Sequence, residues 1–379
     1  MPVPTEAVSN PTLLIMIAGL VLGFAGGIIM HRSDYCVAGM FRDIFMFKNT
    51  FMLRTLLILV SVSMALFEIG RRSGALIHPF PILGPPSLAS FIGGVLFGVG
   101  MVLAGGCVVG TLYKMGSGSL VSLVAFAGLI IGSGLYAEFH SLWGPFIKAT
   151  TFFTGKITIP QIVGTDPAVF VVPFIMVSSF FIYKWFKAGG LERRSFVDGY
   201  IQPWKAALLL AAAGFLSYVF AGMPMGITTS YSKIAAMLEE IFAPEHVAGL
   251  AYMKAVSLNF THPLTGEVMK GGPGPVFDAI AVIQMPVIVG IVLGSAFSAI
   301  SLREFRIYTN VPQRQFIAAL AGGVIMGLAS RMTPGCNIWH LFGGLPILAV
   351  QSILFFAGLL PGAWLGSKMF TGMVVKTGA

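Results

Sequence analysis

Three cysteines carry most of the chemistry this sequence offers, and two of them stand where a helix should be interrupted. Cys107 closes "LAGGC" (103–107) and Cys336 closes "RMTPGC" (331–336), each directly after a glycine and behind a long apolar stretch. The paired glycines Gly105 and Gly106 each cost a helix about 1 kcal/mol relative to alanine, and Pro334 lacks a backbone donor and clashes with the preceding turn. Both helices are therefore expected to stop there. Inside a bilayer a broken backbone is tolerated only where protein buries it or where it lines a water-filled cavity. Residues that resume the helix turn free N–H groups toward the gap, with a partial positive charge suited to an anion. A thiol held there among apolar neighbours keeps its proton and offers a weak S–H donor. Weak donors suit passage, because a site must admit its ion and also release it. A lone cysteine in an apolar helix is usually a small packing residue, but equivalent positions beside two breaks favour a pathway role for Cys107 and Cys336. Gly110, Gly335 and Asn337, next to the breaks, join the candidate pathway.

Cys36 lies in "HRSDYCVAGMFRD" (31–43), which is too charged to cross a bilayer and too apolar for an ordinary loop. It reads as a re-entrant segment, or as an amphipathic interfacial helix with Arg32, Asp34, Arg42 and Asp43 among the headgroups. A related stretch, "GMPMGITTSYSK" (222–233), offers Gly226, Thr228 and Thr229, where small size and hydroxyl donors would serve a pore. Arg331, just before the second break, is an intramembrane cation placed to compensate an anion. Glu68 reads as an interfacial residue. Arg71 and Arg72 read as a basic rim that concentrates an anion, or as the mark of a miscounted span.

The elements that must position these residues are membrane helices. Hydrophobic residues make up 56% of the 379 and charged ones 10%, against about 25% charged in soluble domains. Stretches near the roughly 20 residues that span a bilayer recur at 12–30, 53–70, 88–104, 119–136, 168–186, 205–221, 276–301, 315–330 and 345–367. The fold class is an all-α integral membrane protein with about nine transmembrane helices and short re-entrant half-helices. No base precedes the first span and no small-residue cleavage site follows it, so it is expected to stay in the mature chain. The net charge of +9 sits mostly in short loops, which reads as membrane orientation rather than nucleic-acid binding. Three cysteines without C-x-x-C spacing argue against a disulfide framework or a zinc site. No nucleotide-binding loop is present, and neither a cofactor nor an enzymatic activity is expected.

Gly93, Gly94, Val95 and Gly98 align with Gly322, Gly323, Val324 and Gly327 at the same offset of 229 that places Cys107 on Cys336. Cys36 aligns with Gly226 at an offset of 190, which implies about 39 extra residues in the second half. Two repeats are expected, residues 12–136 and 205–367, with an insertion at 239–278 and a connecting span and loop at 137–204. Lysine and arginine counts put the loops around 187–205 and 303–314 in the cytoplasm. Glu6 without a base before the first span puts the N-terminus in the periplasm, and nine spans put the C-terminus, with Lys368 and Lys376, inside. The repeats then run in opposite senses, the inverted plan of many transporters.

"RSDYCVAGMFRD", "GGVLFGVGMVLAGGC" and "GGVIMGLASRMTPGCN" resemble the YeeE/YedE sulfur-compound transporters over most of both repeats. The resemblance implies an inner-membrane importer of a small sulfur-containing anion, thiosulfate foremost, with Cys36, Cys107 and Cys336 lining a narrow route. It also implies a small soluble sulfurtransferase-type protein as a partner, although no docking site for one is visible. A selenium compound is the nearest rival cargo. A membrane persulfide, sulfurtransferase or redox enzyme is the alternative of another class. The 239–278 insertion departs from the family pattern.

Overall fold

The computed structural model describes residues 10–76, 83–195 and 199–375. Glu6 and Lys376, which entered the orientation argument, lie outside them. Among the described residues nine helices are long and apolar enough to cross a membrane, matching the nine apolar stretches of the sequence.

The chain opens with α1 (Asn10–Ser33), a short α2 (Val37–Phe47) and α3 (Phe51–Arg72). There follow α4 (Leu88–Leu103), α5 (Val108–Gly116) and the long α6 (Leu120–Ala149). α6 runs well past the apolar stretch that ended at 136, because Glu138 and His140 lower hydropathy without breaking a helix. A one-turn α7 (Ile159–Val163) leads to α8 (Ala168–Lys187), of which only Val171 and Ser178 are buried. The second half brings α9 (Pro203–Ala221) and α10 (Thr228–Glu240), then α11 (Pro244–Gly249) and a hairpin of β1 (Leu258–Thr261) and β2 (Val268–Gly271). The strands pair antiparallel with Leu258 opposite Gly271. α12 (Ala279–Ser301) and α13 (Gln313–Met332) follow. After a break come a π-helical turn (Trp339–Gly344), a 3-10 turn (Leu345–Ile347) and α14 (Val350–Phe370).

Three parallel helix pairs form the frame: α1 with α12, α4 with α14, and α6 with α13. Glycines set their spacing. A methyl at Gly23 would lie 2.4 Å from the Val287 oxygen, at Gly94 2.3 Å from that of Phe355, and at Gly128 2.5 Å from that of Leu320. Only backbones without side chains between them approach so closely, and this small-residue contact replaces the hydrophobic drive that lipid removes. α4 also crosses α13 at the centre. α3 packs on α9, α2 on α14, α10 on α6, and α5 on α12.

One end of the bundle gathers Ile15, Phe67, Tyr218, Ile280 and the hairpin residues Leu258 and Phe260 in a single apolar cluster. At the other end the Ile201 amide donates to the Arg32 carbonyl at 2.8 Å, and the Tyr200 hydroxyl donates to Glu304 at 2.7 Å. Lys233, with no exposed surface, donates to the carbonyls of Gly274 and Val276 and to Asp278 Oδ2 at 2.8 Å. Asp278 in turn caps α12 by accepting from the Ile280 and Ala281 amides. One buried pair thus ties α10 to α12 beneath the hairpin.

Candidate functional site

Each of the three cysteines starts a helix. Their carbonyls accept the i+4 amides of Met40, Thr111 and His340 at 3.1, 2.7 and 3.1 Å. Each thiol faces its own helix N-terminus. The Gly110 amide donates to Cys107 Sγ at 3.4 Å, and the Ile338 and Trp339 amides face the Cys336 sulfur. The Gly39 amide turns toward Cys36 without completing a cap bond. All three thiols are free and buried and belong to one continuous apolar core. Cys36 and Cys107 both close on Gly110, and Cys336 lies near Cys107.

The two interruptions occur as Gly105–Gly106 and Pro334–Gly335 dictate: α4 stops at Leu103 and α13 at Met332. Gly105 has φ +69°, a left-handed conformation that residues with a side chain rarely adopt. The carbonyls freed by the breaks would be orphaned in an apolar interior. Lys114 Nζ donates to the Gly105 oxygen at 2.6 Å. Gln351 Nε2 donates to the Thr333 oxygen at 3.3 Å, and His340 Nε2 lies 3.2 Å from it. A polar side chain from beyond the break therefore holds each of them. Gly110 marks the tightest approach, since a methyl there would sit 3.0 Å from Cys36 Sγ and 3.4 Å from Cys107 Sγ.

Buried polar atoms without a partner surround the thiols: Thr111 Oγ1, Tyr231 Oη and Asn337 Oδ1. Tyr231 lies near both Cys336 and Cys107. An unmet buried group costs about 1–3 kcal/mol, so such a cluster calls for an explanation in the native structure. Sequence reasoning missed Thr111, Tyr231 and Lys114. Thr111 and Lys114 lie one and two turns beyond Cys107 and were open to inference, whereas the distance between Tyr231 and the thiols is set by the fold.

A cavity at the hairpin end is lined by Gly226, Thr228, Thr229, Arg331, Gly335 and Trp339. Arg331 is 7% exposed. Its Nη1 donates to Thr229 Oγ1 at 2.8 Å and its Nη2 to Thr228 Oγ1, while Nε has no partner. Gly226 packs against Trp339, and a methyl there would meet its ring at 3.2 Å, so the position aligned with Cys36 has little room for a thiol. A second cavity at the opposite end is lined by Ser33, Asp34, Arg193, Tyr200 and Gln202. Between them lies an apolar cavity walled by Met30, Tyr35, Cys107, Asn337 and Phe342.

Arg71 and Arg72 stand apart from this group. Arg71 pairs with Glu68 at 2.7 Å and Asp166 at 3.0 Å, and Arg72 with the same two carboxylates at 2.7 and 3.6 Å. The four groups sum to no net charge. Asp166 is held below the usual carboxylate range first by the Ala168 amide and then by Arg71.

A family model described as sulphur transport matches residues 32–365. A thiosulfate transporter of Spirochaeta thermophila is 27% identical over 350 residues, covering 91% of this chain and 96% of its own. A thiosulfate transporter of Escherichia coli is 27% identical over 371 residues, covering 93% and 94%. A probable transporter of E. coli, YedE, is 29% identical over 177 residues, or 47% of this chain and 41% of its own.

Proposed function

The chain belongs to the sulphur transport family, whose members are transporters, and on that premise we propose that it imports thiosulfate across the inner membrane past Cys336, Cys107 and Cys36. The observation that carries this reading is the gathering of three free thiols, each at a helix start, in one buried core. Connectivity supports their order. Gly335, in the wall of the hairpin-end cavity, is the residue before Cys336, and Asp34, in the wall of the opposite cavity, lies two residues before Cys36. Cys107 bridges them, closing on Gly110 with Cys36 and lining the central cavity.

On this route Arg331, with Thr228 and Thr229, captures the dianion at the mouth. Its unpartnered Nε is a donor without a job in the absence of an anion. Three half-helix N-termini then replace part of the hydration the anion leaves behind, and the thiols offer weak S–H donors along the way. The orphaned Thr111 and Tyr231 hydroxyls supply further contacts. The charge balance at Arg71 and Arg72 removes most of the long-range attraction that their sequence implies, so recruitment falls mainly to Arg331.

We read the two halves as inverted repeats, with α1, α2, α3, α4–α5 and α6 answering α9, α10, α12, α13 with its following turns, and α14. The packing supports this correspondence. Exchanging the halves turns α4 on α14 into α13 on α6, α1 on α12 into α9 on α3, and α2 on α14 into α10 on α6, all contacts that are present. The N-terminus then faces the periplasm and the C-terminus the cytoplasm, where a soluble sulfurtransferase-type partner would receive the cargo.

The test is uptake of labelled thiosulfate into liposomes by alanine and serine variants of each cysteine. All six are expected to insert normally and fail to transport. Near wild-type rates in all three alanine variants would remove the thiols from the mechanism. Stronger uptake of selenite than of thiosulfate would move the cargo to selenium.

A further inference from the structure

α8 lies outside both proposed repeats and packs chiefly against α3, leaving a slot between α3, α8 and α9. Its walls are apolar, with Ile58, Val62, Ile175, Ile182, Phe186 and Leu208 among them. Along α8 the slot runs from Ile175 to Phe186, about 17 Å at the helical rise of 1.5 Å per residue. That is close to one leaflet, half of a hydrocarbon core about 30 Å thick. The slot is therefore sized for an acyl chain, and its interfacial end sits where α8 ends and α9 begins.

That end is basic. Lys187 Nζ stands 5.1 Å from the centre of the Tyr183 ring and Lys205 Nζ 5.5 Å from that of Trp204, and both rings line the slot. Neither ammonium makes a hydrogen bond or ion pair among the described residues. Phe186 and Trp204 meet edge to face at 5.9 Å and flank this end. Paired aromatics and lysines at the head of an apolar slot match a lipid with a negative headgroup, because aromatic rings favour the interface and each lysine near the surface adds attraction for anionic lipid.

We propose that this slot is a binding site for an anionic phospholipid, with its acyl chain between α3, α8 and α9 and its phosphate between Lys187 and Lys205. The lipid fills the gap that α8 leaves and fastens this helix to the bundle.

The experiment is native mass spectrometry of the purified full chain from micelles holding equal phosphatidylglycerol and phosphatidylethanolamine. One phosphatidylglycerol is expected to persist at detergent concentrations that strip phosphatidylethanolamine. Lys187→Gln with Lys205→Gln should weaken its retention about thirtyfold, the effect of two lysines at the membrane surface. Ile182→Trp, which fills the slot and spares both lysines, should displace either lipid, with folding of every variant checked by circular dichroism. Equal retention of the two lipids, an unchanged double variant, or a lipid-free dimer burying α8 would each overturn the proposal.

Discussion

Gly110→Ala separates passage from folding. An added methyl would stand 3.0 Å from Cys36 Sγ and 3.4 Å from Cys107 Sγ, inside the roughly 3.5–4.0 Å of ordinary carbon contacts. Accommodating it means moving a thiol by a few tenths of an ångström, and overpacking of this kind costs about 1–3 kcal/mol. Alanine returns up to about 1 kcal/mol, because glycine is the poorer helix former and Gly110 lies in the first turn of α5. Its amide can still donate to Cys107. Folding should therefore lose no more than about 2 kcal/mol. An anion moving between the two sulfurs gains nothing from helix propensity, so the full overpacking acts on its barrier. At about 1.4 kcal/mol per decade, uptake should fall roughly five- to 150-fold. The assay is initial thiosulfate uptake into proteoliposomes, with the thermal midpoint in detergent measured on the same preparation. Gly144→Ala in α6 is the control, since nothing lies within 4 Å of its added methyl. A stable Gly110→Ala protein that transports within twofold of wild type would refute the route between Cys36 and Cys107.

Arg331→Gln should raise KM for thiosulfate about ten- to hundredfold, the worth of a hydrogen bond to a charged group, and Arg331→Lys should restore only part of it, because an ammonium lacks the guanidinium fork; an unchanged KM in both would remove Arg331 from capture. Arg72→Gln combined with Asp166→Asn keeps the Arg71–Glu68 pair and a net charge of zero, so the ratio of uptake at low and high ionic strength should match wild type; a loss confined to low salt would return recruitment to this rim. His246 donates toward Glu138 at 2.7 Å, and that carboxylate first, with Glu239 adding to it, holds the imidazolium above its ordinary value. Its folded pKa is raised, so the attachment of α11 to α6 is fully present below the unfolded value near 6.5 and is lost as pH rises through the folded one. Protection factors across 241–257, with the intrinsic pH dependence of amide exchange divided out, should accordingly fall between mildly acidic and alkaline pH in wild type, and His246→Gln should flatten that fall.

Much of the scaffold was legible because lipid imposes simple demands. Charged loops punctuate the apolar spans, and residues that a helix tolerates poorly, such as Gly105 and Pro334, show where the backbone must open. The mixed character of residues 31–43 marked a segment apart from the spans, but did not show that α1 runs to Ser33 and α2 begins after Cys36. Other parts were not legible, because they depend on distances between segments far apart in the chain. Asp166 meets Arg71 from 95 residues away, and no local pattern announces that it cancels the rim's charge. Tyr231 reads as one aromatic among many until α10 brings it beside the thiols. The 239–278 insertion carried no expected structure, and there Leu258, Phe260 and Met269 alternate with exposed neighbours along the two strands, a period too short-lived to stand out in so apolar a chain.

The bond between Lys233 and Asp278 clamps the two ends of the hairpin segment, while His262 on the Phe220 carbonyl, Leu258 and Phe260 in the apolar cluster and His246 on Glu138 anchor its middle. The chain departs from α10 seven residues after Lys233 and returns at the carboxylate itself, so both ends are pinned before any residue between them is placed. Closure entropy rises only by about 0.6 kcal/mol for each doubling of a loop. The stretches between these anchors can therefore lengthen or shorten at little thermodynamic penalty to the helices below. A chimera whose foreign segment keeps these anchors should still build the thiol-lined interior, while changing the approach that leads the cargo to Arg331.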